Sequence, residues 1–274
     1  MSSKPDYVFT RDFLDNSRIN LMHHFWTKLF GYLIHPSIPT EKTDLRVADV
    51  GAGTGIWLHD VGDQLGESSR LVALDVSFDA APPPETLPSN MTFRQWDVRE
   101  EVPDDLVNAF DIVNLRFFSF VLLNEEVPRL VGKLFKLLKP GGYVQWGEPD
   151  FATVRIDKTR PDSETEHLEA LMKLLTVQDP RLNPSWVTAL PETFSAAGFG
   201  DVETDIRDAQ PWLGFMFHEC GLIMHELVAR KTKSEKMAQE VRRLLPLAVE
   251  ETRQGAYVTA VRWTIVGKKP LGST

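Results

Sequence analysis

The chain has 274 residues, 42% of them hydrophobic, enough for one large or two small domains with a sizeable core. Its 30 Lys and Arg stand against 39 Asp and Glu, a net charge of −9 with no basic run, which argues against DNA or RNA as a partner. One cysteine, Cys220, rules out an intramolecular disulfide framework, and neither a signal-peptide layout nor a membrane-spanning apolar run is visible, so a cytoplasmic protein with no membrane partner is expected.

From about Asp12 to Ile34, Leu14, Ile19, Met22, Phe25, Trp26, Leu29, Phe30 and Leu33 recur near the helical period. This predicts one or two helices, with Asp15, Asn16 and Ser17 as candidate caps and Pro36 and Pro39 beyond the end. His23 and His24 lie on this segment, as core or rim residues or as candidate bases.

The stretch Leu45–Gly55 organises the rest of the chain. Leu45, Val47 and Val50 read as a short buried strand that breaks at Gly51, Gly53 and Gly55 and runs into a helix carrying Ile56, Trp57, Leu58 and Val61. A strand entering a helix through a glycine turn is the mouth of a nucleotide-type site in an open α/β sheet. A pyrophosphate turn wants its third glycine at the sixth position, and that position is Ile56. Glycines at the first, third and fifth positions instead let a ligand lie against bare backbone, as an adenosine compound without phosphates would. A structural turn without a ligand is the alternative.

A second strand, Arg70–Asp75, ends on an acid about 20 positions past the glycines, where a carboxylate can accept from both hydroxyls of a ribose. Asp75 could otherwise cap a helix. After a proline-rich loop at 79–90, Met91–Val98 is a third strand ending in Trp96-Asp97-Val98. An apolar residue beside a carboxylate there suits adenine, with Asp97 accepting from the exocyclic amine. The fourth strand, Phe110–Arg116, should bring Asn114 to Phe118 to the same edge as the glycines.

A helix with Asn124 as its cap, and Lys136 and Lys139 at its negative end, stops at Pro140-Gly141-Gly142. Strand five, Tyr143–Trp146, leads to Glu148, read as an acidic contact to the acceptor or else as a cap or ion-pair partner. Helices at 163–176 and 191–197, a strand at 201–207, a helical insertion over 209–250 and a closing strand at 257–266 complete the chain. In the insertion His218 and His225 are seven apart and share a face, two further candidate bases. The overall expectation is an α/β domain over 41–274, with a helical lid within it at 209–255 and an N-terminal helical cap at 1–40.

With these residues in place, the chain resembles the class I S-adenosylmethionine-dependent methyltransferases. The likeness runs through Val47-Ala-Asp-Val-Gly-Ala-Gly-Thr-Gly55, Asp75, Asp97-Val98, Phe110-Asp-Ile-Val113 and Leu138-Lys-Pro-Gly-Gly-Tyr143. Arg18-Ile-Asn-Leu21, Phe30-Gly-Tyr-Leu-Ile-His-Pro36, Gly55-Ile-Trp57 and Gly142-Tyr-Val-Gln-Trp146 look like the branch common in fungal secondary-metabolite gene clusters, which methylates small natural products. The resemblance implies a Rossmann-like sheet of seven strands, the last antiparallel, and S-adenosyl-L-methionine as cofactor. It implies that Gly51, Gly53 and Gly55 border the methionine and ribose, with Asp49 near the amino group through water. Asp75 would hold the ribose, Asp97 and Val98 the adenine, and Asn114 and Arg116 would lie beside the sulfonium. Trp57 would shield the cofactor or pack its helix.

The expected reaction is in-line transfer of a methyl group to O, N or S of a small apolar substrate, driven by proximity and desolvation. Phe25, Trp26, Trp212, Phe215, Met216, Phe217 and Met224 are the expected pocket for that substrate. No Asn/Asp-Pro-Pro-aromatic run, usual in amide- and base-directed amino methyltransferases, follows strand four, which argues against nucleic-acid methylation; Asn114 stands where a catechol-type magnesium site would want a carboxylate, so no metal is expected. Two alternatives remain: a cofactor-binding regulator acting through protein partners, and an enzyme using the cofactor in a rearrangement without methyl transfer.

Overall fold

The computed structural model describes residues 7–176, 179–182 and 184–272. Five parallel strands form the heart of the sheet: β1 (Arg46–Val50), β2 (Arg70–Asp75), β3 (Met91–Gln95), β4 (Phe110–Arg116) and β5 (Leu138–Pro149), in the order β3-β2-β1-β4-β5. Two more strands extend it. β9 (Arg262–Lys268) runs antiparallel to β5, and β7 (Gly200–Arg207) pairs antiparallel with β9 at the edge. This is the seven-stranded sheet with an antiparallel last strand that the resemblance implied.

Central strands covered on both faces read as near-continuous apolar runs, and β1 and β2 do. Their side chains alternate between two cores. Ala48, Val50, Val72 and Leu74 pack with Leu130, Leu134 and Phe194 from α3 (Val127–Leu137) and α5 (Leu190–Ala196). Val47, Leu71 and Ala73 pack with Trp57, Leu58 and Val61 from α2 (Ile56–Leu65). The chain order reverses between β1 and β4, so the carboxyl ends of these strands flank a switch-point crevice.

Over that crevice sits a helical layer. α1 (Phe13–Phe30) packs on α6 (Pro211–Lys231), and α6 packs on α7 (Glu235–Arg253), which also meets α4 (Glu166–Thr176). Met237, Val241, Leu244 and Ala248 on α7 follow a helical stripe and join Leu168, Leu171 and Leu227 in a third core. Among the described residues no helix is long and apolar enough to cross a membrane.

Three local expectations are corrected. The cap of α1 is Asp12, whose carboxylate accepts the amides of Leu14 and Asp15; Asp15 is instead buried against Arg18. The next predicted cap, Asn124, lies in a 3-10 turn, bonded to Ser185; the acceptor at that end is Glu126, which takes the amide of Leu123. The closing segment is two strands, because the chain changes sheets after Thr259. β8 (Ala256–Thr259) pairs with β6 (Arg155–Lys158) in a two-stranded ribbon, and only β9 enters the main sheet.

Candidate functional site

Two cavities adjoin beneath the helical layer. The first, about 150 Å³, lies at the carboxyl ends of the parallel strands. Gly51, Gly53, Asp75, Asp97, Val98 and Arg116 are in its wall, and Tyr7, Arg11, Asn16, Ile19 and Met22 close it from the N-terminal side. The second, about 170 Å³, lies under α6 and α4 and is mainly apolar. Arg18, Met22, Phe117 and Phe120 belong to both walls. Together the cavities reach the lower end of the volume usual for ligand sites, about 300–1,000 Å³.

The glycine turn does its work partly as expected. Gly51 and Gly53 have φ of 68° and 56°, a region costly for residues with a Cβ. The bare-backbone reading holds least at Gly51 and Gly55. A Cβ on Gly51 would stand 2.7 Å from the Phe118 ring, and one on Gly55 2.8 Å from the Phe93 ring. These two glycines make room for protein rings, and Gly55 is not in the cavity wall.

Asp75 accepts the Gly53 amide at 2.9 Å and the Ser77 amide at 3.0 Å, so the turn and the strand end hold its carboxylate in place at the cavity wall. Burial pushes its pKa up, against those hydrogen bonds. Asp97 accepts the Arg99 amide at 2.9 Å and, with Val98, faces the same cavity.

The register of β1 on β4 sets Asp49 directly beside Asn114. The Asn114 amide donates to Asp49 at 2.7 Å and accepts from Gln145 at 3.0 Å. Both residues are buried and lie behind the first cavity, outside its wall. Burial lifts Asp49 to about 7, opposed by the charge of Arg116. Arg116 reaches the cavity and donates through Nη2 to Nδ1 of His23 at 2.7 Å. His23 must then carry its proton on Nε2, which meets Asp60 at 2.9 Å. Burial and the Arg116 charge push His23 down to about 4. Both of its nitrogens are committed, so it orients Arg116 and is no free base. His24 is exposed beside it, and His23, His24 and Asp60 bring ligand-type atoms within 4.8 Å of one another.

Trp57 is buried in the core under the sheet, its indole N–H on the Leu33 carbonyl at 3.1 Å, and touches neither cavity. Glu148 also reaches neither. Its carboxylate turns inward and accepts from the Trp146 indole, the Phe118 amide and both the amide and hydroxyl of Ser119. Of the expected substrate-pocket residues, Phe217 and Met224 line the second cavity; Trp212 and Met216 are 53% and 41% exposed, and Phe25, Trp26 and Phe215 pack elsewhere.

His218 and His225 do meet at one cavity, the second. His218 accepts the Val258 amide on Nδ1 at 3.1 Å and donates through Nε2 to Thr252 at 2.8 Å. His225 has Nδ1 at 3.3 Å from the Gly221 carbonyl, and its Nε2 is buried. Burial pushes both down to about 4, so neither is a strong base.

Sequence reasoning brought Phe117 to the ligand edge but missed Phe120, Arg18 and Arg262 as cavity walls. Phe117 to Phe120 gave no periodic signal. Arg262 did give a signal: a cation opening a strand whose centre, Thr264 to Gly267, is buried.

Residues 47–142, from β1 to the glycines inside β5, match the family described as methyltransferase domain. The match covers the strands whose ends form the first cavity. Among curated relatives, the chain is 27% identical over 143 residues to the N-methyltransferase tcpN of Claviceps purpurea, covering 52% of this chain and 51% of that protein. It is 33% identical over 144 residues to the methyltransferase grgD of a Penicillium species, covering 50% of each. It is 26% identical over 287 residues to the secondary metabolism regulator LAE1 of Gibberella fujikuroi, covering 96% of this chain and 87% of that one. The chain thus spans about half the length of the first two relatives.

Proposed function

We propose that the methyltransferase domain binds S-adenosyl-L-methionine in the first cavity and transfers its methyl group to a small, largely apolar molecule in the second. The observation that carries this reading is the shared wall of Arg18, Met22, Phe117 and Phe120, which sets a carboxylate-bearing crevice against a chamber lined by no described carboxylate. The residues of the first cavity fit the cofactor. Asp75, already held by two backbone amides, keeps lone pairs for a ribose diol. Asp97 and Val98 offer an acceptor and an apolar contact to adenine. Asp49 and Asn114 act from behind the wall, by fixing the strand ends and the field around Arg116.

When bound, the cofactor supplies an activated methyl on a sulfonium. The chain's part is to align the acceptor and to keep water out. Well-aligned intramolecular reactions reach effective molarities of roughly 10⁵ M or more, so positioning can supply much of the acceleration. The apolar wall of Phe117, Phe120, Leu171 and Phe217 excludes solvent from the acceptor side. With His218 and His225 both held far below neutral pKa, an acceptor that needs no strong base is favoured, and a neutral amine meets that condition. The names of tcpN and other N-methyltransferase relatives support nitrogen as the acceptor atom. A cytoplasmic site of action fits the single, buried Cys220.

The match to LAE1 along 96% of the chain supports a second reading, a cofactor-binding regulator. One experiment separates the two. Purified protein is incubated with methyl-labelled cofactor and a panel of small amines, phenols and thiols. Label in a small product supports the enzyme; turnover without label supports a rearrangement; label in neither small molecule nor turnover product, with the cofactor bound, favours the regulator.

A further inference from the structure

The second cavity has in its wall a cation that makes no salt bridge with any described residue. Arg262, at the start of β9, is 6% exposed and lies in the cavity wall. Its Cζ stands 3.5 Å from the centroid of the Phe217 ring, and Nη1 donates to the Ala260 carbonyl at 2.7 Å. Nε is buried with no hydrogen-bond partner, and Nη2 makes no hydrogen bond to any described residue. Among the described residues no carboxylate lines this cavity. Asp208, whose charge reaches Arg262, is held at 2.7 Å by Arg155, whose own charge opposes it. The other guanidinium in the wall, Arg18, is already paired with Asp15 at 2.7 Å.

A second donor lies in the same wall. The hydroxyl of Thr259, three residues before Arg262, is buried and unpartnered. Buried polar groups are almost always satisfied, and a buried guanidinium is costly unless an anion answers it. Two unmet donors, one of them on a charged group stacked on an aromatic ring, thus belong to one cavity wall, and an anionic oxygen group is the chemistry that would answer them.

We infer that the substrate of this domain carries a carboxylate or an equally acidic enol oxygen on an otherwise apolar body, and that Arg262 with Thr259 binds that group. The inference rests on the reading of the second cavity as the acceptor chamber and names the substrate class it takes. Arg262 then sets the orientation of the molecule, presenting its far end to the wall shared with the first cavity. It also explains why an apolar chamber contains an arginine that makes no salt bridge with any described residue.

The test uses the full chain saturated with S-adenosyl-L-homocysteine and two probes of the same shape, indole-3-acetate and its neutral amide, followed by calorimetry. The wild type is expected to bind the carboxylate on the order of 10- to 100-fold more tightly than the amide, the range of one charge-assisted hydrogen bond. Arg262→Met should bring that ratio to near one while leaving affinity for S-adenosyl-L-homocysteine unchanged; Arg262→Lys should keep part of the preference. Should Arg262→Met fail to fold, the wild-type ratio and Thr259→Val, expected to lower it severalfold, carry the test. Equal binding of the two probes by the wild type, binding of neither, or a preference that survives Arg262→Met overturns the inference. Binding of S-adenosyl-L-homocysteine is read separately, so its loss in the wild type points to failure of the cofactor reading instead.

Discussion

The carboxylate of Glu148 holds Ser119 twice, accepting its backbone amide at 3.2 Å and its hydroxyl at 2.6 Å. It also takes the Trp146 indole at 2.6 Å and the Phe118 amide. One residue earlier, Phe117 sits in the left-handed region at φ 63°, a conformation that costs a residue with a Cβ roughly 1–3 kcal/mol. Glu148 therefore pins the tight turn that carries Phe117 and Phe120 into the wall between the cavities.

Glu148→Leu leaves four donors without an acceptor, each costing about 1–3 kcal/mol if water does not reach it. The variant should lose roughly 3–5 kcal/mol in urea unfolding. A loss below about 1 kcal/mol, of the size of a single ordinary hydrogen bond, would show that the turn does not depend on this carboxylate.

Asp75→Ala should weaken binding of S-adenosyl-L-homocysteine by about 10- to 100-fold, since a charge-assisted hydrogen bond contributes roughly 1.5–3 kcal/mol. Calorimetry on a variant with native circular dichroism reads this directly. Unchanged affinity removes Asp75 from the ribose contact.

Trp57→Phe should do the reverse. It loses the hydrogen bond to Leu33 and some core volume, so stability should fall by about 1–3 kcal/mol. Cofactor affinity should not change, because Trp57 is outside both cavities. A tenfold loss of affinity with intact stability would restore it as a cofactor contact.

His218 gives a pH signature. Burial lowers its pKa from 6.5 unfolded to about 4 folded. Between those values the unfolded chain binds the extra proton, so stability is lost as pH falls from about 6.5 towards 4. A lowering of this size corresponds to at most about 3 kcal/mol from this group. In His218→Gln the fall in Tm between pH 7 and pH 5 should be shallower than in the wild type. Parallel profiles would contradict a buried, neutral His218.

What the sequence made legible was local and periodic. The glycine run, Asp75 and Asp97 stand out by spacing along single strands, the order of strands and helices pointed to an α/β domain, and the seven-stranded sheet was what the family resemblance implied. Orientation across elements was another matter. Glu148 is at the predicted strand end, but the amides that draw its carboxylate inward belong to a turn 29 and 30 residues earlier. The sequence left His23 open as a core or rim residue or a base, and the choice depended on Arg116, 93 residues on, which meets its Nδ1. β6 escaped notice because it is short and bears Arg155, Asp157 and Lys158, so no apolar alternation marks it. Exposed Trp212 and Met216 misled because composition does not say which face of α6 turns inward.

The most direct measurement is a crystal structure of the chain grown with S-adenosyl-L-homocysteine. The ribose should lie on Asp75, the adenine beside Asp97 and Val98, and the sulfur at the wall formed by Arg18, Met22, Phe117 and Phe120. Density for the molecule elsewhere on the protein, or an empty first cavity at saturating concentration, would contradict this placement.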